Sequence, residues 1–331
     1  MSLKLMLACL FSLTSLPATA EEIVWNLGYI QATGSNYAAV TESIPARIAK
    51  ATNNRLKIEL QPTLIPAAQQ PAAMRDGRLE LINAVNPYLS GEAAIFNIGH
   101  LPGLVRDEKD YKKIMEGGIA KDIANVWGSR YNGVMLATGM WDEQGVYSNK
   151  PIAKAEDWKG LRVRVHNTEA ALLMKMLGAS PTPVDFTEMG PALQRGVIDA
   201  IMATVGTAQG QGLQTVGKYV EIWKIGAAVG WCLVANKDAW AKLPPDLQKI
   251  VADEFTQIEK EHYSDYRSFS DTKLKFLVDS GMKLVAVSDD ERAKVFSEAN
   301  VAAIYENFYK QTAAQGVDGK LLVEKAKKLI D

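Results

Sequence analysis

The chain has 331 residues and a formal net charge of −1, which excludes the strong basic bias of a nucleic-acid binder. Its 47% apolar and 23% charged residues are those of an ordinary globular protein, long enough for two lobes. No repeat or low-complexity tract interrupts it, and past the start no apolar run reaches the eighteen or so residues that suggest a membrane span.

Residues 1–20 read as a secretory signal peptide: Lys4 gives a short basic start, residues 5–16 are largely apolar, and Ala18-Thr19-Ala20 is a small-residue cleavage site. A lipoprotein signal at Cys9 fits poorly, because almost no basic or apolar segment precedes it. The mature chain is then expected in the periplasm, starting near Glu21, with no direct insertion in the membrane. Cys232 is its one remaining cysteine, so no intrachain disulfide is expected, and a buried structural thiol is.

From there strand and helix alternate. Residues 23–30 predict a strand, 37–51 a helix, 56–60 a strand with one face buried, 66–77 a short helix and 79–85 a third strand. That βαβαβ order predicts a mostly parallel sheet with helices on both faces. A proline- and glycine-punctuated stretch covers 86–103, helical segments cover 109–130, and 133–138 is another strand. Residues 139–150 read as a crossing into a second lobe, and the chain returns near Trp231, where 232–236 is a short strand. Pro244-Pro245-Asp246 starts a long helix over 244–277. A strand at 282–287 and two helices, 289–315 and 319–330, finish the chain.

The second lobe carries the most informative stretch, 158–207. Leu161-Arg162-Val163-Arg164-Val165 alternates apolar residues with arginines, which is a strand with both guanidinium groups on one face. Asn167 or Thr168 caps a helix through Leu172, Leu173, Met176 and Leu177, which Gly178 closes. Pro181 and Pro183 lead an extended segment to Phe186, Thr187 caps a short helix ending at Arg195-Gly196, and 197–202 is a strand. An arginine that ends a strand just before a helix lies where open α/β sheets bind small molecules, so Arg164 is placed to grip a carboxylate. The expected fold is α/β, with two lobes, a hinge and a long lobe-spanning helix. The first lobe takes 21–142 and about 231–265, the second about 143–230 and 280–331. A cleft between lobes is a favoured ligand site.

Asp157-Trp158-Lys159-Gly160-Leu161-Arg162-Val163-Arg164-Val165, Leu177-Gly178-Ala179-Ser180-Pro181-Thr182-Pro183, Phe186-Thr187-Glu188 with Ala192-Leu193-Gln194 and Ile198-Asp199, and Leu243-Pro244-Pro245-Asp246-Leu247-Gln248-Lys249 together carry a family resemblance. In order and spacing they resemble the solute-binding subunit of TRAP transporters, the DctP-type extracytoplasmic receptors, and a looser similarity spans about 23–325. The resemblance implies a type II periplasmic-binding-protein fold. It also implies a small-molecule carboxylate ligand, membrane carrier subunits as partners, no cofactor and no catalysis.

The family's carboxylate-binding arginine falls on Arg164, and a planar, permanently charged guanidinium suits that role. Arg162 matches a position commonly filled by lysine and is expected at the surface. Asn167 matches a position that often bonds the ligand, and it also reads as a helix cap. Phe186 matches an aromatic that packs on the ligand, with core packing as the alternative. Asn86 either reaches the cleft or is a turn residue before Pro87, and Tyr88 is a weaker candidate. Sialic-acid-binding members have a second arginine where this chain reads Trp141-Asp142-Glu143-Gln144-Gly145, and an asparagine where it has Ala203. With Trp141, Gln144, Phe186, Ala203 and Trp231 nearby, the expected ligand is a monocarboxylate with an aromatic or hydrophobic body, or a 2-oxo acid. A sugar-acid or dicarboxylate receptor of the same family is the alternative.

Two other readings compete. A periplasmic enzyme would need a site that the sequence does not show: His100, His166 and His262 are far apart and outside metal-ligand spacing, and neither a nucleophile elbow nor a phosphate loop is present. His166 beside Arg164 reads either as a general base or, since the family usually has proline there, as a rim residue. A sensor subunit would share the receptor's pocket.

Overall fold

The structure, a computed structural model, describes residues 23–62 and 64–331, so the expected signal peptide lies outside the described residues. In chain order the strands are β1 (Ile23–Gly28), β2 (Leu56–Gln61), β3 (Leu81–Val85), β4 (Gly133–Met140), β5 (Gln144–Ser148), β6 (Arg162–Arg164), β7 (Ser180–Thr182), β8 (Ala200–Thr204), β9 (Tyr219–Glu221), β10 (Gly230–Asn236) and β11 (Lys283–Val285). They form two sheets. The first has the order β2-β1-β3-β10-β4 and the second β11-β9-β5-β8-β6-β7.

Each sheet is sandwiched between helices, and the period of two along its strands decides which face each residue serves. Along β10, Cys232 and Val234 enter one apolar cluster, while Trp231, Leu233 and Ala235 enter the other. Along β8, Ala200 and Met202 face one cluster of the second sheet, and Ile201 and Ala203 face the other. Ile44, on the helix Asn36–Ala51, is fully buried under the first sheet. Truncating it to alanine should cost about 2–5 kcal/mol through lost transfer energy and the cavity left behind.

The first sheet is mostly parallel, as expected, with one reversed strand. β1, β2 and β3 run parallel as expected, but β10 enters antiparallel between β3 and β4. The expected crossing at 139–150 shrinks to the three residues between β4 and β5. Residues 144–148 pair antiparallel with both β8 and β9, in the middle of the second sheet. The short β9 has no counterpart in the expected elements. Thr187 does not cap a helix: it sits inside the 3₁₀ turn Phe186–Glu188, which leads into the helix Met189–Gln194. The helix expected over 289–315 is split at Phe296 and Ser297 into Asp289–Val295 and Glu298–Ala314.

The long helix runs Pro245–Asp279, with Pro245 in the first turn, where its missing N–H costs nothing. Leu247, Val251, Phe255 and Ile258 follow one helical stripe into the first lobe, and Leu277 reaches a cluster of the second. At 1.5 Å per residue its 35 residues span roughly 50 Å, enough to brace both lobes. The final helix, Gly319–Ile330, departs from the division that placed 280–331 with the second lobe. Its Leu322, Val323, Ala326 and Ile330 share a cluster with Tyr111, Ile114 and Met115 on the first.

Candidate functional site

Strand direction brings the site together. In the first sheet β3 and β4 end, and the antiparallel β10 begins, on the edge facing the second lobe. In the second sheet β6 and β8 end, and the antiparallel β5 begins, on the facing edge. Residues at those ends line a cavity between the lobes: Val85, Trp141 and Val229 from the first, and Gln144, Arg164 and Ala203 from the second, with Tyr88, His166 and Phe186 around them. The free space there is about 30 Å³, room for about one water, and beside it the lobes are closed on each other, Asn167 Nδ2 of the second lying 2.7 Å from His100 Nδ1 of the first. A wider mouth of about 400 Å³ shares Tyr88, Arg164, His166 and Phe186 with it.

Arg164 is 6% exposed, and Nη1 donates to the Met202 carbonyl at 3.0 Å while Nε donates to the Val184 carbonyl at 3.4 Å. Among the described residues no carboxylate forms an ion pair with it. Burial pulls its pKa below the ordinary value and the nearby Tyr88 opposes this, but a guanidinium stays charged at any relevant pH. A buried cation whose only bonds are to carbonyls has donors and charge left for an anion. Arg162 is different. It lies at the surface in a two-point pair with Asp199, 2.8 and 2.9 Å.

The walls around Arg164 are largely apolar, with Gln144, His166, Thr204 and Thr207 as polar exceptions. Trp141 stacks on Tyr37, ring centroids 4.7 Å apart and 17° from parallel, and Tyr37 is itself fixed by donating to the Asn83 carbonyl at 2.6 Å. Gln144 is buried, and both amide atoms lack a partner among the described residues. Such a group loses hydrogen bonding unless something in the cavity supplies it.

The structure therefore brings together Arg164, Trp141, Gln144, Phe186, Ala203 and Tyr88 from the sequence expectations. Three others it does not bring to the cavity. Asn86 is buried behind β3, with its amide near Gly230. Trp231 shares a face of the first sheet with Val85 but is fully buried in the core, edge-on to His262 at 5.0 Å, and does not line the cavity. Asn167 caps the helix Thr168–Met176, accepting from Ala170 N at 2.7 Å, and its Nδ2 lies 2.7 Å from His100 Nδ1 across the lobes.

Sequence reasoning missed Val85, Val229, Thr204 and Thr207 as lining residues. Thr204 caps the helix Val205–Gly210, and that hydroxyl at a strand end was the available signal. The histidines also depart from the expected separation: the His100 and His166 rings are 5.3 Å apart at 75°. No cluster of three metal-ligating side chains forms among the described residues.

Two mixed sheets that close on a buried, unpaired arginine define a two-lobed α/β solute receptor. Residues 27–312 match the DctP model, bacterial extracellular solute-binding protein family 7, and the chain belongs to that family, the solute-binding subunits of TRAP transporters. It is a family of receptors rather than enzymes. A solute-binding protein of Albidiferax ferrireducens is 26% identical over 228 residues, 67% of this chain and 66% of that one. The Bordetella pertussis receptor DctP7, which binds pyroglutamic acid, superposes with a TM-score of 0.82 at 22% identity, covering 92% of this chain and 99% of that one. A TRAP periplasmic solute-binding protein from Desulfovibrio salexigens with bound orotic acid gives 0.81 at 21% identity, covering 93% and 100%.

Proposed function

We propose that the protein is exported to the periplasm, captures a small organic acid between its lobes on Arg164, and delivers it to the membrane subunits of a TRAP transporter. The observation that carries this reading is the buried guanidinium of Arg164, without an acidic partner among the described residues, facing a largely apolar interlobe cavity. The favoured ligand is a monocarboxylate with an aromatic or hydrophobic body, or a 2-oxo acid. Trp141, Phe186, Val85, Val229 and Ala203 supply hydrocarbon against such a body, and Gln144 supplies one donor and one acceptor to a polar edge. Pyroglutamate and orotate, the ligands of the two structural neighbours, both combine a carboxylate with a small ring.

The cavity is too small in this closed form for an organic acid, so entry requires the lobes to part and capture requires them to return. A thermal-shift panel of pyruvate, benzoate, pyroglutamate, orotate, succinate and sialic acid tests the proposal. Monocarboxylates of the first four kinds should raise the melting temperature with concentration. Recovery of the acid unchanged would mark a receptor. A panel without any shift, or turnover of the acid, would overturn the reading.

A further inference from the structure

We infer that His166 is a second anchor for the ligand, donating from its imidazole to the same carboxylate that Arg164 holds. This rests on the reading of Arg164 above. His166 lies two residues beyond Arg164, and both side chains line the cavity and its mouth. Its Nε2 is buried without a hydrogen-bond partner among the described residues, so a polar atom at the edge of the cavity is left unmet.

The ring is positioned from the opposite lobe. His100, on the 3₁₀ turn Ala94–His100, packs edge-on against it. Asn167 fixes His100 in turn: its Oδ1 is committed to Ala170 N, so Nδ2 is the atom facing His100 Nδ1. An amide nitrogen only donates, so His100 accepts at Nδ1 and carries its proton on Nε2. His100 is thereby a neutral positioning residue, and His166 takes its seat only when the lobes meet.

The charged and titratable groups around His166 are Arg164 on its own segment, His100 and Tyr88 from the first lobe, and the exposed Asp185 at the mouth. Burial, then His100 and Arg164, hold the His166 pKa well below its ordinary value, so the ring is neutral near pH 7 in the closed, empty site. A carboxylate beside both groups reverses the balance and favours the imidazolium. Between the empty-site and bound-state pKa values, binding then takes up a proton, and affinity rises as pH falls, by up to about tenfold per unit for one proton.

The chain has three histidines, so ¹³Cε1-histidine NMR resolves them, with H100Q, H166Q and H262Q as assignments. Pyruvate, benzoate, pyroglutamate and orotate serve as probes between pH 5.5 and 8. The expected result is an upward shift of the His166 titration by at least about one unit at saturation. In parallel calorimetry, proton uptake and the pH-dependence of affinity should be lost in H166Q and retained in H262Q. Binding with an unmoved His166 titration overturns this inference alone. Failure of every probe to bind overturns the Arg164 reading and this inference with it.

Discussion

The carboxylate of Asp142 accepts the backbone N–H of Gly206 at 2.5 Å, and through its other oxygen the N–H of Asn36 at 3.0 Å. Asp142 lies between β4 and β5, Asn36 opens the helix Asn36–Ala51 of the first lobe, and Gly206 belongs to the second. The Asn36 side chain completes the joint, accepting from Asp142 N at 2.9 Å and donating to the Met140 carbonyl at 3.1 Å. One buried carboxylate thus ties both lobes to the crossing in the closed form. Asp142→Asn replaces one acceptor oxygen with a donor and leaves a backbone N–H unmet. The expected loss is about 2 kcal/mol of closed-state stability, roughly 30-fold in a closing equilibrium. Small-angle scattering should show a larger radius of gyration than wild type, and calorimetry a weaker acid affinity. Unchanged scattering and affinity would remove Asp142 from the joint.

Gly210 makes the neighbouring contact so close that no side chain fits. A Cβ added there would lie 1.8 Å from the Thr33 carbonyl oxygen, and one at Gly206 would lie 2.5 Å from the Gly34 oxygen. Both neighbours are backbone and belong to the facing lobe, so they yield only if the lobes separate. Gly210→Ala should leave the fold intact, since alanine is a better helix residue than glycine, yet prevent full closure. Acid affinity is expected to fall at least tenfold with little change in unfolding. Gly91→Ala, where nothing lies within 4 Å of the added carbon, is the matched control. Equal binding by G210A and G91A would show that closure does not need this contact.

The two arginines of one strand should separate cleanly in binding. Arg164→Ala is expected to weaken acid binding roughly 30-fold or more, because truncating one partner of a buried charge pair costs about 2–5 kcal/mol. Arg162→Ala removes an exposed pair with Asp199, which contributes only about 0–1 kcal/mol of stability and touches no cavity. Its affinity should stay within about twofold of wild type. Titration calorimetry on both variants decides this, and near-normal affinity in R164A would end the assignment.

That separation was legible in the sequence because β6 shows polar–apolar alternation and ends before a helix start. Elsewhere the same logic had nothing to act on. Every residue of β10 is buried, so its apolar run does not reveal which side chains reach the cleft, and Trp231 is packed in the core against His262 instead. Asn86 sits one residue past β3, where the turn's phase, not the residue type, decides its direction. β5 hid inside the expected crossing because its partners, β8 and β9, lie more than 50 residues further along the chain. Asn167 matches a ligand-contact position that can also serve as a helix cap. The cap forms, and its Nδ2 faces a histidine of the other lobe, a relationship that needs the tertiary structure.

Glu221, away from the cavity, gives the protein a stability that varies with pH. It is fully buried on β9, and Oε1 accepts the Ile152 N–H at 3.0 Å while Oε2 has no partner among the described residues. Burial raises its pKa from 4.5 to about 8, and the Ile152 bond only partly opposes this. The folded state therefore holds a proton between pH 4.5 and 8 that the unfolded state releases. The protonated carboxyl's contribution is complete below the unfolded value of 4.5 and declines as pH rises toward 8. Glu221→Gln keeps an acceptor for Ile152 and never ionises. The variant should match wild type in melting temperature near pH 4.5 and exceed it at pH 8, at about 2–4 °C per kcal/mol recovered. Parallel pH–melting curves for E221Q and wild type would show that the buried carboxyl is not what makes stability fall.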